Sequence, residues 1–349
     1  MSDTATIETP PALWNDAELA AWAIPEQMKP SAWVAKFRYL PRNQSKRGGS
    51  IYSHEHAPYM RDLLDLSHAR GVEQMNVMKF AQGGISEGLI RNDIAYCAAN
   101  DPDPMGLTLP DRDKGRKIVA NRVAPMFSDS PELAKLTSEH LWDIQNEQIK
   151  LRNGFILHLM WSGSASSMAS DPICRVWNDE VDKHKAWVGR DASASASTWA
   201  RILTYEERKF QGNVSTPTVR DGEIYRLWEA STVHLYYFVP CPKCGTFQRL
   251  LFPQLRYDSP KRRGKKPLSP RALGSWLQKT GHSVWYECEH CGEKIHENEK
   301  AEMVRAGHWA TEDGSIADAA AVSEWPRGTR IGIQISALYC LWEDRKSVV

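Results

Sequence analysis

The sequence predicts an α/β fold, in which a mostly parallel sheet flanked by helices is followed by a small β subdomain. Two observations carry this prediction. Short apolar runs of strand length alternate with segments of helical periodicity over residues 31–232. Beyond them come two Cys-x-x-Cys-Gly motifs, each preceded by a strand-like run, at residues 235–239 and 283–287.

The 349 residues are enough for more than one domain. We predict a mobile N-terminal arm over residues 1–30, the α/β domain over 31–232, a cysteine-bearing, zinc-ribbon-like insertion or subdomain over 233–312, and a linker over 313–349. The 44 basic and 43 acidic residues nearly cancel, so affinity for nucleic acid has to come from local patches. The chain has no run of about 20 apolar residues and no signal peptide, so we expect a cytoplasmic protein without membrane contact.

The first functional signal is a glycine-rich loop between a strand and a helix. Residues 75–80 are mostly apolar, two glycines follow at 83–84, and Ser86 opens a segment with helical spacing. Such a loop directs backbone N–H groups at one spot before a helix N-terminus, where phosphate binds favourably. Because Ile85 stands where a P-loop usually has lysine, we expect Lys79 to supply the cation. A glycine-rich turn without a ligand is the alternative.

A tyrosine upstream of this loop is a candidate contact for a nucleotide base. Tyr59 opens a predicted helix just before the strand, and an ordinary core aromatic is the alternative. The predicted nucleotide contacts are Tyr59, Lys79, Gln82, Gly83, Gly84, Ile85, Ser86 and Glu87.

A second signal is an acidic pair at the end of a predicted strand that begins near residue 173. Asp179 and Glu180 would lie at the carboxyl edge of the sheet, where ligands bind in open α/β folds. If this strand lies beside the strand before the loop, Asp179 can hold Mg²⁺ while Glu180 orients and deprotonates an attacking water. Arg175 and Asn178 are unexpected inside such a strand, because buried parallel strands prefer continuous apolar residues.

A hydroxyl-rich turn follows the next predicted strand. Ser215, Thr216 and Thr218 form this turn, which in motors acting on nucleic acid links hydrolysis to movement. An ordinary turn is the alternative.

The two cysteine motifs are the most specific pattern in the chain. Cys241 and Cys244, together with Cys288 and Cys291, offer four thiolates, which would close a tetrahedral structural Zn²⁺ site. A redox pair or unrelated free thiols are the alternatives, and His290 is a further possible ligand.

A basic cluster lies between the two motifs, in a loop predicted over 256–270. Its functional interpretation is a contact with the phosphate backbone of DNA, and a solvated loop is the alternative. The residues of the cluster are Lys261, Arg262, Arg263, Lys265 and Lys266.

Over residues 30–342 these motifs, in this order, resemble the GpA family of phage terminase large subunits, the lambda-type DNA-packaging motors. The resemblance is carried by the following segments: 79–86, 178–182, 215–218, 239–245 with the second cysteine pair, and 332–339.

The resemblance implies a P-loop NTPase of the RecA/ASCE type, using ATP and Mg²⁺, that drives double-stranded DNA into a procapsid. Its implied partners are a small terminase subunit, the portal protein and further copies of itself in a ring within the host cytoplasm. It assigns Ser86 as the Mg²⁺-side hydroxyl, Asp179 as the metal carboxylate, Glu180 as the catalytic one and 215–218 as the coupling motif. Arg201 is a candidate for an arginine acting on a neighbouring subunit.

The family continues into a nuclease domain after a segment like residues 330–342, so we expect this polypeptide to lack endonuclease activity. Two other functions stay open. One is a catalytically weak or inactive prophage remnant that binds DNA or a partner through its zinc ribbon. The other is a helicase-like ATPase, disfavoured because the remaining length shows no second RecA-like domain.

Overall fold

The computed structural model describes residues 28–43, 47–138, 142–143, 147–164, 172–185, 193–258, 268–280 and 284–341. Most of the predicted arm and the whole basic cluster at 261–266 lie outside this part. Within it, no helix is long and apolar enough to cross a membrane.

One large sheet forms the centre of the fold, and a three-stranded sheet lies beside it. The strands are β1 (Val72–Met78), β2 (Met105–Leu109), β3 (Trp142–Asp143), β4 (Gln148–Lys150), β5 (Ile156–Trp161), β6 (Arg175–Asp179), β7 (Phe210–Ser215), β8 (Val233–Pro240), β9 (Phe247–Arg249), β10 (Leu255–Tyr257), β11 (Val284–Glu287), β12 (Lys294–Ile295), β13 (His308–Ala310) and β14 (Thr329–Gln334).

The strand order of the large sheet is β13-β8-β14-β1-β7-β6-β2-β5-β4-β3, and β9 also pairs with β8. The strands from β8 to β5 in this order are parallel to one another, whereas antiparallel pairs occur only toward the margins. Every residue of β1, β2 and β7 is buried, as expected for parallel strands covered on both faces. The predicted α/β class with a mostly parallel sheet is therefore confirmed.

Short helices connect and cover the strands. They are α1 (Pro30–Phe37), α2 (Tyr59–Leu66), α3 (Asn92–Asn100), α4 (Arg112–Ile118), α5 (Ala124–Asp129), α6 (Pro131–Ala134), α7 (Ala194–Ile202), α8 (Glu223–Glu229), α9 (Pro270–Thr280) and α10 (Glu297–Arg305), with π-helical turns at Ser86–Arg91 and Val119–Val123.

The sheet corrects two predicted domain boundaries. The cysteine-bearing region is not a separate unit after residue 232, because β8 pairs in parallel with β14, and β13 returns to the other edge of β8. Nor is the segment from 313 onward only a linker, since β14 is the parallel neighbour of β1. The small sheet of β10, β11 and β12 is thus an insertion between strands of the main sheet.

A buried ion pair joins the helix after the glycine-rich loop to β6. Arg175 donates to Asp93 at 3.1 Å and lies over the ring of Phe210, while His68 and Trp177 also bond to Asp93. Burial alone would raise the pKa of Asp93, but the positive charge of Arg175 and the contacts with His68 and Trp177 hold it well below its usual range. This pairing explains how an arginine is accommodated in a buried strand.

Replacing Arg175 with methionine should lower the free energy of unfolding by about 3–5 kcal/mol, because Asp93 would remain buried without its cation. Arg208→Met is the matched control, since Arg208 is 59% exposed where it pairs with Asp103 and should contribute less than about 1 kcal/mol. Urea unfolding measures both variants. Equal losses would contradict the assigned importance of the buried pair.

Candidate functional site

The glycine-rich loop starts at the end of β1 and closes onto the π-helical turn at Ser86–Arg91. Gly84 has a φ of 74°, a left-handed conformation that glycine adopts without steric cost. Its carbonyl oxygen accepts hydrogen bonds from the N–H groups of Glu87 at 3.1 Å and Gly88 at 2.7 Å. Because Glu87 and Gly88 donate in this way, it is the N–H groups immediately before them that can face an anion.

Four of the predicted side chains meet in front of this loop. Lys79 Nζ lies 2.8 Å from Glu180 Oε1, and Ser86 Oγ donates to Asp179 Oδ2 over 2.8 Å. The condition that β6 lies directly beside β1 is not met, because β7 stands between them. The groups still meet because adjacent strands are only about 4.8 Å apart, and the long lysine side chain spans one strand above the sheet edge.

Glu180 is held in a fixed direction by its backbone and by two lysines. Its φ of 56° is unusual for a residue other than glycine, and such conformations are found preferentially at functional sites. Lys183, which the sequence pattern did not single out, places Nζ 2.9 Å from Glu180 Oε2. Burial pushes the pKa of Glu180 upward, but Lys79 and Lys183 outweigh it and lower the pKa, so the carboxylate is ionised at neutral pH.

Asp179 fits the predicted role of a magnesium ligand. It is partly buried, and the loss of solvation raises the pKa of its carboxyl in spite of the hydrogen bond from Ser86. Within the described part of the chain, its Oδ1 atom has no hydrogen-bond partner. A divalent cation would satisfy this oxygen and favour the charged carboxylate, and Mg²⁺ prefers oxygen ligands such as a carboxylate and a hydroxyl.

Lys79, Ser86 and Glu180 line a cleft of about 760 Å³. Every predicted loop contact takes part in the lining: Gln82, Gly83, Gly84, Ile85, Ser86 and Glu87. Its charged lining consists of four basic residues, Arg47, Lys79, Arg91 and Arg122, and two carboxylates, Glu87 and Glu180. The excess of positive charge suits a polyphosphate. The three arginines come from separate segments, and no motif in the sequence marks them.

Tyr59 does not occupy the predicted place beside a nucleotide base. It is fully buried, its ring lies edge-on to Tyr237 at a centroid distance of 6.0 Å, and its hydroxyl donates to the Gly83 carbonyl at 3.2 Å. Tyr59 is thus a core aromatic, as in the alternative interpretation, and its hydroxyl group supports the loop from the core side. Ile85 is also buried in the core, at 1% exposure, so its backbone rather than its side chain can face a ligand.

The hydroxyl-rich turn after β7 lies next to the loop lysine. Thr216 Oγ1 is 3.2 Å from Lys79 Nζ, and the backbone N–H of Lys79 donates to the Ser215 carbonyl at 3.0 Å. The lysine therefore contacts both the predicted coupling turn and the predicted catalytic carboxylate.

Asp182 joins this turn to the segment that carries Glu180. Its carboxylate accepts hydrogen bonds from the backbone N–H of Thr218 at 3.0 Å and from that of Ile224 at 2.8 Å, and its own N–H donates to Ser215 Oγ at 3.2 Å. No role for Asp182 is evident from the sequence, since an acidic residue two positions after an acidic pair has no distinctive pattern.

A ladder of buried amides fixes the three strands that deliver these residues. Asn213 on β7 donates to Asn76 on β1 at 2.8 Å, and Asn178 on β6 donates to Asn213 at 2.8 Å. The three residues are paired across the strands in register, and all are fully buried. Because a buried polar network is stable only when its members are all satisfied, the ladder strongly disfavours other registers. This explains the asparagine inside β6.

The four motif cysteines form one cluster. Their Sγ atoms all lie within 4.8 Å of one another, with 3.9 Å between Cys241 and Cys291 and 3.9 Å between Cys244 and Cys288. A tetrahedral site with Zn–S bonds of about 2.3 Å needs sulfur separations of about 3.8 Å, so the four thiols fit zinc. His290 lies instead near Glu289, at 3.4 Å.

Each cysteine pair sits on the same kind of backbone turn. Gly245 donates to the Cys241 carbonyl at 2.9 Å, and Gly292 donates to the Cys288 carbonyl at 3.0 Å. The φ values of 75° and 71° at these two positions explain why glycine ends both motifs.

Two predicted contacts stay predictions. The basic cluster falls outside the described residues. Arg201 lies on α7 with its guanidinium 3.5 Å from the sulfur of Met160, and a contribution to a neighbouring subunit is not tested by one chain.

The family of the chain follows from its match over residues 46–309 to the model of the phage terminase large subunit gpA, ATPase domain. The chain belongs to this family. A curated terminase large subunit, that of Enterobacteria phage P21, is 23% identical over 300 residues, which are 84% of this chain and 44% of that protein. The chain thus spans less than half the length of that terminase.

Solved large terminases are also similar. The HK97 bacteriophage large terminase matches with a TM-score of 0.43 and 16% identity, over 57% of this chain and 40% of that one. The ATPase domain of the Thermus phage P74-26 large terminase matches with a TM-score of 0.37 and 12% identity, over 48% of this chain and 67% of that one.

Replacing Asn213 with alanine should cost this terminase ATPase domain about 2–4 kcal/mol of unfolding free energy. The reason is that Asn76 and Asn178 would each keep a buried amide group without its partner. Asn153→Ala, which removes a hydrogen bond of an exposed asparagine to the Ala98 carbonyl, is the control and should cost about 1 kcal/mol or less. Urea unfolding of both variants checks this, and an Asn213 variant as stable as the control would show that the ladder is dispensable.

Proposed function

We propose that this chain is the ATP-hydrolysing part of a motor that packages double-stranded DNA into a phage procapsid. The observation that carries the proposal is the convergence of Lys79, Ser86 and Glu180 on one positively charged cleft. Asp179 is joined to this group by its hydrogen bond with Ser86. Family membership supports the ATPase activity, and the geometry supports the roles of the individual residues.

ATP would bind with its phosphates against the loop amides. Lys79 is nearly buried, at 7% side-chain exposure, so its attraction to a phosphate is little screened by water. Mg²⁺ would be held by Asp179 and by Ser86, the two oxygen donors that already contact each other. The metal would neutralise charge on the phosphates during transfer.

Glu180 would accept the proton of the attacking water. It is ionised at neutral pH, which a general base requires, and it stands at the edge of the sheet beside the loop. When a phosphate draws Lys79 toward itself, Glu180 loses one of its two ammonium partners and becomes a stronger base. Thr216 contacts the same lysine, so the change would be transmitted to the exposed coupling turn.

The partners belong to the same proposal. Duplex DNA is the molecule that the motor would translocate. Its assembly partners in the host cytoplasm would be a small terminase subunit, the portal protein and further copies of this chain. A catalytically inactive remnant is the second candidate function, since Ile85 stands where a P-loop has its lysine. The helicase alternative gains no support from any described element.

Replacing Glu180 with glutamine should lower ATPase turnover about 10²–10⁴-fold with nucleotide binding retained, because the base is lost and the shape is kept. Glu206→Gln is a matched control, since Glu206 also has a positive φ, 43°, but lies on the exposed surface. Phosphate release is measured with and without linear duplex DNA. Equal background turnover in the unmodified protein and in the Glu180 variant would favour the inactive remnant.

We also propose that the four cysteines hold one structural Zn²⁺ ion. Hydrogen bonds from Thr246 lower the pKa of Cys244 to about 6, whereas burial raises the pKa of Cys241, so the metal itself would have to favour the thiolate form of the whole set. Because Cys241 and Cys288 pack against the main hydrophobic core, metal binding would stabilise the whole domain.

Purified protein should therefore contain about one equivalent of zinc, and Cys288→Ser should contain far less and unfold at a lower temperature. Cys174→Ser, which changes a buried cysteine just before β6, should keep its zinc. Metal analysis and thermal unfolding provide the measurements. Less than half an equivalent in the unmodified protein would rule the zinc assignment out.

A further inference from the structure

The glycine-rich loop has an unmet need for positive charge. The usual lysine position holds Ile85, whose side chain is buried in the core. Lys79 is shared between Glu180 at 2.8 Å and Thr216 at 3.2 Å. A nucleoside triphosphate carries about four negative charges, so one lysine and a metal leave much of this charge without a fixed protein partner.

The π-helical turn after the loop changes which residue faces the cleft. In an α-helix, a residue five positions after Ser86 would point about 140° away from it. The wider π turn at Ser86–Arg91 has i to i+5 hydrogen bonding and brings Arg91 back toward the face of Ser86. Both residues line the cleft. π turns of this kind are frequent at functional sites.

Arg91 belongs to a cluster with more positive than negative charge. Its side chain is only 6% exposed, and it forms an ion pair with Glu87. The same carboxylate pairs with Arg38, which is completely buried and also donates to Asn92 Oδ1 at 2.5 Å. Two guanidinium groups therefore share one carboxylate. A buried excess cation is costly unless an anion joins it.

The electrostatics of Arg91 agree with this arrangement. Burial, together with the charges of Arg38 and Arg122, lowers the pKa of Arg91 to about 9, although Asp179 acts in the opposite direction. Cations that crowd one another beside an open cleft form a site that an anion would stabilise.

We propose that Arg91 is a phosphate-binding residue of the nucleotide cleft, contacting the terminal phosphate of the bound triphosphate in place of the lysine that the loop lacks. The inference rests on the proposed function in that it takes the ligand to be ATP. Glu87 and Arg38 act as positioning residues that hold the Arg91 side chain toward the cleft. The planar guanidinium can donate two parallel hydrogen bonds to phosphate oxygens.

The role predicts selectivity between nucleotides. A contact with the terminal phosphate strengthens binding of ATP but has little effect on ADP, which lacks that group. Arg91→Gln should therefore weaken binding of a non-hydrolysable ATP analogue with Mg²⁺ by about ten- to a hundredfold, and that of ADP by less than about threefold. Arg91→Lys should show an intermediate loss of about fivefold for the analogue, because it keeps the charge but not the fork.

Isothermal titration calorimetry on the full chain measures these affinities, and urea unfolding shows whether each variant folds. Arg61→Gln is the matched control, because Arg61 is 52% exposed and pairs with Asp62, and its affinities should equal those of the unmodified protein. The lysine variant keeps the test valid if the glutamine variant does not fold.

The inference is overturned if the Arg91 variants lose affinity for the ATP analogue and for ADP by the same factor. It is also overturned if their affinity for the analogue stays within twofold of that of the unmodified protein. Binding of neither nucleotide to the unmodified protein would overturn the proposed ATPase function itself. Selective loss of the ATP analogue supports both.

Discussion

The common register of three parallel strands is the constraint on which the candidate site depends. Parallel strands end at the same edge of a sheet, so β1, β7 and β6 deliver their following residues to one place. The amide ladder through Asn76, Asn213 and Asn178 fixes that register just below the edge. A slip by one residue would turn every side chain of a strand to the opposite face and break the ladder.

Shared carboxylates are the second organising feature. Glu180 forms ion pairs with two lysines, and Glu87 forms ion pairs with two arginines. In both places one carboxylate therefore serves two cations. Such pairing lets buried cations lie beside a cleft at a tolerable cost in solvation, and it leaves net positive charge for a polyphosphate. The arrangement of charge in the cleft therefore suits an anionic ligand in addition to stabilising the fold.

The cysteine region is structurally continuous with the proposed nucleotide cleft. Trp309 on β13 donates its indole N–H to the Tyr59 carbonyl at 2.8 Å, and the Tyr59 hydroxyl donates to Gly83 in the loop. Tyr237 on β8 packs against both aromatic rings. Buried contacts thus run from the strands that flank the cysteines to the glycine-rich loop. This explains why a domain boundary at residue 232 has no physical counterpart.

The sequence by itself determined the class of the fold, the strand-loop-helix with Lys79 and Ser86, the acidic pair and the four cysteines. These features are local, since hydrophobic periodicity, glycine positions and short spacings are set by neighbouring residues. Only the tertiary structure decided that β7 lies between β1 and β6, that Tyr59 is buried under the loop, and that β14 belongs to the main sheet. It also brought Arg91, Lys183 and Asp182 to the site, because such placements depend on which distant segments pack together, and no spacing along the chain encodes that.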